Sequence, residues 1–386
     1  MEIEIGRGKK ARRAYGFDDI AIVPSRRTRD AEDVDIAWRL GPHLLELPLL
    51  ASAMDGVVSP ATAIELGQLG GLGVLNLEGI WTRYEDADTQ LQRIAGFSPA
   101  EATHEMQEIY KEPIKRELVI QRIKEIKEGG VLAAASLTPQ RVREYWQDAL
   151  DAGLDVLVIQ GTVVSAEHVS TVVEPLNLKE FIASMPVPVI VGGCASYQAA
   201  LHLMRTGAAG VLVGVGPGAA CTTRGVLGVG VPQATAIADA AAARVQHLLE
   251  TGQYVNVIAD GGMRTGGDIS KAIACGADAV MIGSPLARAN EAPGHGCHWG
   301  MATFHPSLPR GARVQTKQVA SLEQIVVGPA TENDGTLNLM GALRTSMATT
   351  GYDNIQAFQK AEIMFAPALQ TEGKKLQREQ AIGMSR

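Results

Sequence analysis

Aromatic residues make up only 4% of this 386-residue chain, and there are only four cysteines. Scattered at Cys194, Cys221, Cys275 and Cys297, they read as free thiols and exclude a disulfide framework. No uninterrupted apolar segment approaches the roughly 20 residues a membrane-spanning helix needs. Nor does an apolar run follow the charged N-terminal residues, so neither an anchor nor a secretory leader is expected, and the expected location is cytoplasmic. An excess of positive charge is missing too. Lys and Arg number 35 against 42 Asp and Glu, leaving a net charge of −7 that argues against a nucleic-acid binder. The single basic run, "GRGKKARR" at residues 6–13, is short and isolated and reads as a solvated arm. No GxGxxG follows the first strand-like run, which counts against a doubly wound dinucleotide fold.

Hydrophobic residues make up 46% of the chain, and Ala, Gly, Val and Ile dominate, as suits buried parallel strands under close-packed helices. Short apolar runs that end in Gly, Ser, Asp or Asn recur at 47–52, 73–76, 131–136, 155–160, 187–193, 210–214, 256–260 and 279–284. Amphipathic stretches such as 138–149, 196–206 and 233–251 separate them. Eight strand–helix units predict a closed (β/α)8 TIM barrel, read as one catalytic domain over residues 1–386. Two stretches break the rhythm: a charged helical insertion at 81–130, and an irregular Pro-, Gly- and His-rich segment at 288–336 after the eighth strand, expected to form a flap and active-site loops.

Chemistry in such a barrel collects where strands end, and phosphate sites favour the loops after the last two strands. Here those loops read Asp260-Gly261-Gly262 and Gly283-Ser284, offering turn N–H groups with a hydroxyl beside them. The sixth strand leads into "GVGPGAACTTRG", where Gly214, Gly216 and Gly218 precede Cys221 and Thr223. Three glycine turns converging on one mouth indicate a phosphate-bearing ligand, and backbone N–H groups around a thiol favour the nucleophilic thiolate. Asp260 is placed either to cap the next helix or to accept hydrogen bonds from a ribose diol. The stretch His295-Gly296-Cys297-His298 raises a metal site as an alternative, without a second paired cluster to complete it.

These residues together resemble the inosine monophosphate dehydrogenase and guanosine monophosphate reductase family. "GVGPGAACTTR" resembles its catalytic-cysteine loop, "FDDIAIVPS" at 17–25 its entry segment and "ASAMDGV" at 51–57 its first nucleotide loop. "ADGGMRTGGDISKAIACGADAVMIGS" at 259–284 is similar to its phosphate and ribose segment, "HWGM" at 298–301 to its base-contacting loop, and "MGALRTSMATTGY" at 340–352 to its closing helix. The tandem regulatory module that many dehydrogenases insert after the second strand is absent.

The resemblance implies a homotetramer in which Cys221 attacks C2 of a purine mononucleotide and a hydride passes between C2 and NAD, or NADP. It places Ser52, Met54, Gly216, Gly218, Asp260, Gly261, Gly262, Gly283, Ser284, Gly300 and Met301 around the nucleotide. Gln160, Gly161 and Thr162 fall in the cofactor stretch, and the carbonyls of Gly216, Gly218 and Cys221 in a monovalent-cation (K+) loop. Thr223 positions the second reactant, and Arg310 and Arg313 in "HPSLPRGARVQT" are the flap candidates for activating water, with His305 a more conventional base. Gln160 stands where the family has Asp, Cys194 where it has Asn, and no adjacent Arg-Tyr pair marks the flap. Arg310 falls at the position of a Glu on which reductases rely to handle ammonia, so IMP oxidation is favoured over GMP reduction. A nucleotide-binding pseudoenzyme and a flavin-dependent barrel oxidase are the remaining alternatives.

Overall fold

The computed structural model describes residues 2–171, 174–368 and 371–383. Eight parallel strands close into one barrel: β1 (Leu49–Ala51), β2 (Leu72–Asn76), β3 (Ala134–Leu137), β4 (Val156–Gln160), β5 (Val189–Cys194), β6 (Gly210–Val213), β7 (Asn256–Asp260) and β8 (Ala279–Ile282). Closure comes from β8 pairing back onto β1, Val280 with Leu49, Met281 with Leu50 and Ile282 with Ala51. Each expected run carries one of these strands. Their interiors are buried throughout, because helices cover the outer face while side chains fill the centre; hence continuous apolar runs rather than alternation.

The helices that follow the strands in turn are α1 (Pro60–Gln68), α2 (Arg116–Glu128), α3 (Val142–Asp151), α4 (Leu178–Ala183), α5 (Tyr197–Met204), α6 (Gln233–Thr251), α7 (Gly266–Ala274) and α8 (Leu339–Thr349). Hydroxyl caps fix several starts: Ser59 Oγ accepts Thr62 N–H at 3.1 Å, Ser196 Oγ accepts Ala199 N–H at 3.3 Å and Thr265 Oγ1 accepts Asp268 N–H at 3.2 Å. Each cap satisfies a first-turn donor that has no partner within its own helix. On the far side, Arg244 of α6 forms a buried ion pair with Asp278 at 2.6 Å, and Tyr254 and Gln359 also donate to that carboxylate. Removing one partner of such a pair strands a buried charge at a cost of about 3–5 kcal/mol.

The charged stretch at 81–130 holds three helices, Ala87–Gly96, Ala102–Ile109 and α2. Only the first two are extra. α2 packs against α1 and α3 as an ordinary member of the outer ring. The segment at 288–336 is mostly irregular, with Cys297–His298 pairing antiparallel to Val314–Gln315 and one short helix, Leu322–Val326. The basic run at 6–13 is not a free arm but part of an exposed hairpin, Glu2–Gly6 with Lys9–Arg12, pinned by Arg12 to Asp239 at 3.0 Å. A second hairpin, Trp38–Leu40 with His43–Leu45, lies at the start of β7, where Asn256 Nδ2 donates to Arg39 O at 3.1 Å.

Candidate active site

Loops from five strand ends and the flap enclose one cavity at the C-terminal mouth of the barrel. Ser52 and Met54 reach it from β1, and Gln160, Gly161 and Thr162 from β4. Gly216, Gly218 and Cys221 enter after β6, Asp260, Gly261 and Gly262 at β7, and Gly283 and Ser284 after β8. The flap contributes Gly300, Met301 and Arg310. Thr223 is fully buried behind the cysteine rather than on the cavity wall. Arg313 lies apart: its guanidinium donates to the carbonyls of Ile94, Ala95 and Phe97, at the end of helix Ala87–Gly96. His305 turns inward on its own loop, its Nδ1 accepting Leu308 N–H at 3.1 Å.

Cys221 is half-buried and opens onto the cavity. Its thiol donates to Thr223 Oγ1 at 3.2 Å and faces Arg310 O at 3.8 Å. A hydroxyl so close can reverse roles and donate to the thiolate. The other three thiols are poorly placed for such chemistry. Burial pushes Cys194 and Cys275 up to about 12 and raises Cys297. Cys194, whose position drew notice in the sequence, is buried at the end of β5 and does not line the cavity. The flap closes on the cysteine loop as a short antiparallel contact: Gly311 bridges Cys221, Thr222 N–H donates to Arg310 O at 3.1 Å, and Ala312 N–H donates to Ala220 O at 2.8 Å.

Gly261 and Gly262 both take positive φ, +76° and +81°, and Gly261 N–H donates to Met281 O at 3.0 Å, which pins this glycine turn to β8. A Cβ on Gly262 would sit 2.9 Å from Pro217 Cβ, and one on Gly283 would sit 2.7 Å from Met54 Sδ, so side chains here would close the space a ligand needs. Ser284 Oγ lies 2.8 Å from Nε2 of His298, a fully buried imidazole that desolvation pushes down to about 4. The neutral ring adds no charge, and it orients the Ser284 hydroxyl at the wall. Asp260 stands half-buried at the end of β7. Desolvation pushes its carboxyl up to about 7, and Gln160 Nε2 opposes that by donating to Oδ2 at 3.3 Å. Gln233, buried at the start of α6, donates from Nε2 to Val213 O at 2.9 Å and Asp260 O at 3.1 Å, tying two strand ends together. Neither Gln233 nor the His298–Ser284 couple has a local signature in the sequence. Among the described residues, no three His, Cys, Asp or Glu side chains converge on a metal position, so the stretch around His295 and Cys297 forms no such cluster.

The sequence model described as the IMP dehydrogenase / GMP reductase domain matches residues 14–374. An uncharacterized oxidoreductase of Mycolicibacterium smegmatis is 48% identical over 93% of this chain and 98% of its own length. Inosine-5'-monophosphate dehydrogenase of Borreliella burgdorferi is 33% identical over 74% of this chain and 72% of its own. Among solved structures, the crystal structure of an IMP dehydrogenase/GMP reductase-like protein from Corynebacterium glutamicum superposes with a TM-score of 0.90 at 46% identity, covering 95% of this chain and 98% of that one. This chain belongs to the IMP dehydrogenase / GMP reductase family.

Proposed function

We propose that this protein is an IMP dehydrogenase, oxidising inosine 5'-monophosphate to xanthosine 5'-monophosphate. One observation carries the choice of direction: among the described residues, Asp260 at the ribose side is the only carboxylate on the cavity wall, and the flap contributes Arg310 instead of an acid. A cation opposes an ammonium leaving group, whereas a guanidinium with a buried, unpartnered Nε beside the cysteine loop suits the handling of water. Cys221 forms the C–S bond at C2, and Thr223 holds the sulfur. Gln160, Gly161 and Thr162 border the space that would hold NAD, or NADP, which would supply the acceptor for the hydride leaving C2. Water then adds at C2, the C–S bond breaks, and the thiol returns with release of xanthosine monophosphate.

The carbonyls of Gly218 and Cys221 belong to one turn, tightened by Cys221 N–H donating to Gly218 O at 3.1 Å, and Gly216 lies two residues before it. Each carbonyl has two lone pairs, and such a neutral oxygen set fits K+. The proposal includes a cytoplasmic homotetramer. Exposed Val245, Leu248 and Leu249 on α6 give an apolar face in support, and no helix among the described residues is long and apolar enough to cross a membrane. The deciding experiment incubates the protein with inosine monophosphate plus NAD and, separately, with guanosine monophosphate plus NADPH. Growth of reduced-cofactor absorbance in the first mixture is expected. Consumption in the second alone would reverse the assignment to the reductase.

Asp260 gives a pH prediction. Its native carboxyl holds a proton to about 7 against an ordinary value of 3.8. Between those values the native state binds more protons than the unfolded one, so this group lowers stability as pH rises and adds nothing further above about 7. A ribose diol donates to the ionised form, so nucleotide binding releases a proton, and affinity rises as pH climbs through 7 before levelling off. Calorimetric titration of inosine monophosphate from pH 6 to 8.5 is expected to show that rise. Asp260→Asn is expected to flatten it and weaken binding about tenfold or more, the worth of one charge-assisted hydrogen bond. A pH-independent affinity in the parent would refute the assignment.

A further inference from the structure

The two extra helices after β2 grip the flap at four points. Tyr110, at the end of helix Ala102–Ile109, donates from its hydroxyl to Asp55 Oδ2 and accepts from Trp299 Nε1 at 2.7 Å. Its ring stacks on Phe304, with centroids 3.4 Å apart and planes 9° from parallel. Gln107 Nε2 donates to His305 O at 3.0 Å. Beyond the flap tip, Arg313 donates to Ile94 O at 2.6 Å, Ala95 O at 3.1 Å and Phe97 O at 2.7 Å. Those carbonyls lie at the negative end of helix Ala87–Gly96, where a guanidinium finds both acceptors and a favourable field.

The gripped residues bracket the chemistry. Asp55 follows Met54, and Trp299 precedes Gly300 and Met301, all three of these neighbours being cavity residues. Asp55, Tyr110 and Trp299 are all buried, so their hydrogen bonds are shielded from water. Between His305 and Arg313 only residues 306–312 hang free of the insertion, and Arg310 and Ala312 in that span pair with the cysteine loop.

We infer that the insertion is the seat of the flap, and that Tyr110 and Arg313 are positioning residues that hold Arg310 against the Cys221 loop. Tyr110 fixes the root of the flap and Arg313 its return. An open flap would have to give up either the guanidinium–carbonyl contacts or the Tyr110 stack and hydrogen bonds. The insertion thus sets the fraction of time the flap is shut. Its effect on turnover rests on the oxidation proposed above, but its effect on flap mobility does not.

Hydrogen-exchange mass spectrometry on the intact protein tests this. Tyr110→Phe keeps the ring stack and deletes both hydrogen bonds, and Arg313→Met keeps the stem and deletes the guanidinium. Each is expected to speed exchange in residues 299–313 and at the Thr222 amide at least about tenfold while β1–β8 exchange as in the parent. In single-turnover kinetics with inosine monophosphate and NAD, the first formation of reduced cofactor is expected to stay within about twofold while steady-state turnover falls. Should Tyr110→Phe fail to fold, Gln107→Ala carries the same test from a more accessible bond. Unchanged exchange in 299–313, or acceleration shared equally by the barrel strands, would overturn the inference. If the parent shows no oxidation of inosine monophosphate, the catalytic reading falls while the exchange result still decides the role of the insertion.

Discussion

Cys221→Ser is expected to abolish reduction of NAD by inosine monophosphate, by at least about a thousandfold, or roughly 4 kcal/mol of transition-state stabilisation. Nucleotide affinity should stay within about threefold of the parent. The two effects separate because different atoms carry them. In the proposed mechanism the sulfur makes the bond to C2, and a serine hydroxyl in the same place is a far weaker nucleophile without a base to take its proton. In the proposed site, binding comes from the Gly261–Gly262 turn, the Gly283–Ser284 end of β8 and the Asp260 carboxylate, none of which touches the thiol in the hydrogen-bond pattern. Rapid mixing with cofactor absorbance gives the rate, and calorimetry gives the affinity. A serine variant within about tenfold of the parent rate, a loss of only ~1.4 kcal/mol, would rule out covalent catalysis at this residue.

Arg310→Ala is expected to divide the reaction in two. In the proposed mechanism hydride transfer precedes the arrival of water, so mixing with inosine monophosphate and NAD should give one equivalent of reduced cofactor per active site in a burst. Steady turnover should then be slower by about 10²–10⁴-fold, the usual worth of one proton-transfer group. The three flap candidates differ in what they face. Arg310 lines the cavity, Arg313 is committed to three helix-end carbonyls and His305 to its own loop. His305→Gln should accordingly keep steady-state turnover near that of the parent. Loss of turnover in His305→Gln with none in Arg310→Ala would transfer the base to the imidazole.

Much of the site was legible because barrel chemistry is local to strand ends. An apolar run stopped by Asp-Gly-Gly or Gly-Ser announces both the end of a strand and a turn able to approach a phosphate. The cysteine and its threonine are two residues apart, so their contact needs no tertiary knowledge. What stayed hidden depends on long-range geometry. Trp299 and Tyr110 are 189 positions apart, and nothing near either residue foretells their hydrogen bond. Arg313 in a Pro- and Gly-rich loop reads like an active-site arginine, because the helix end that claims it lies 216 to 219 positions earlier. The limits of the insertion were blurred for another reason. α2 has the same charged, amphipathic composition as the two helices before it, and only its packing against α1 and α3 marks it as part of the barrel.

Gly311 meets the cysteine loop only because it has no side chain. A Cβ there would run into the Thr303 hydroxyl and lie 3.0 Å from the Ala220 carbonyl oxygen. Its backbone is not in the left-handed region, so conformational freedom is not what this glycine contributes. Excluded volume at position 311, and not backbone conformation, therefore decides whether the flap can seat on the cysteine loop. Residues along the insertion tune how firmly the two segments adhere; the room for their approach belongs to this one position.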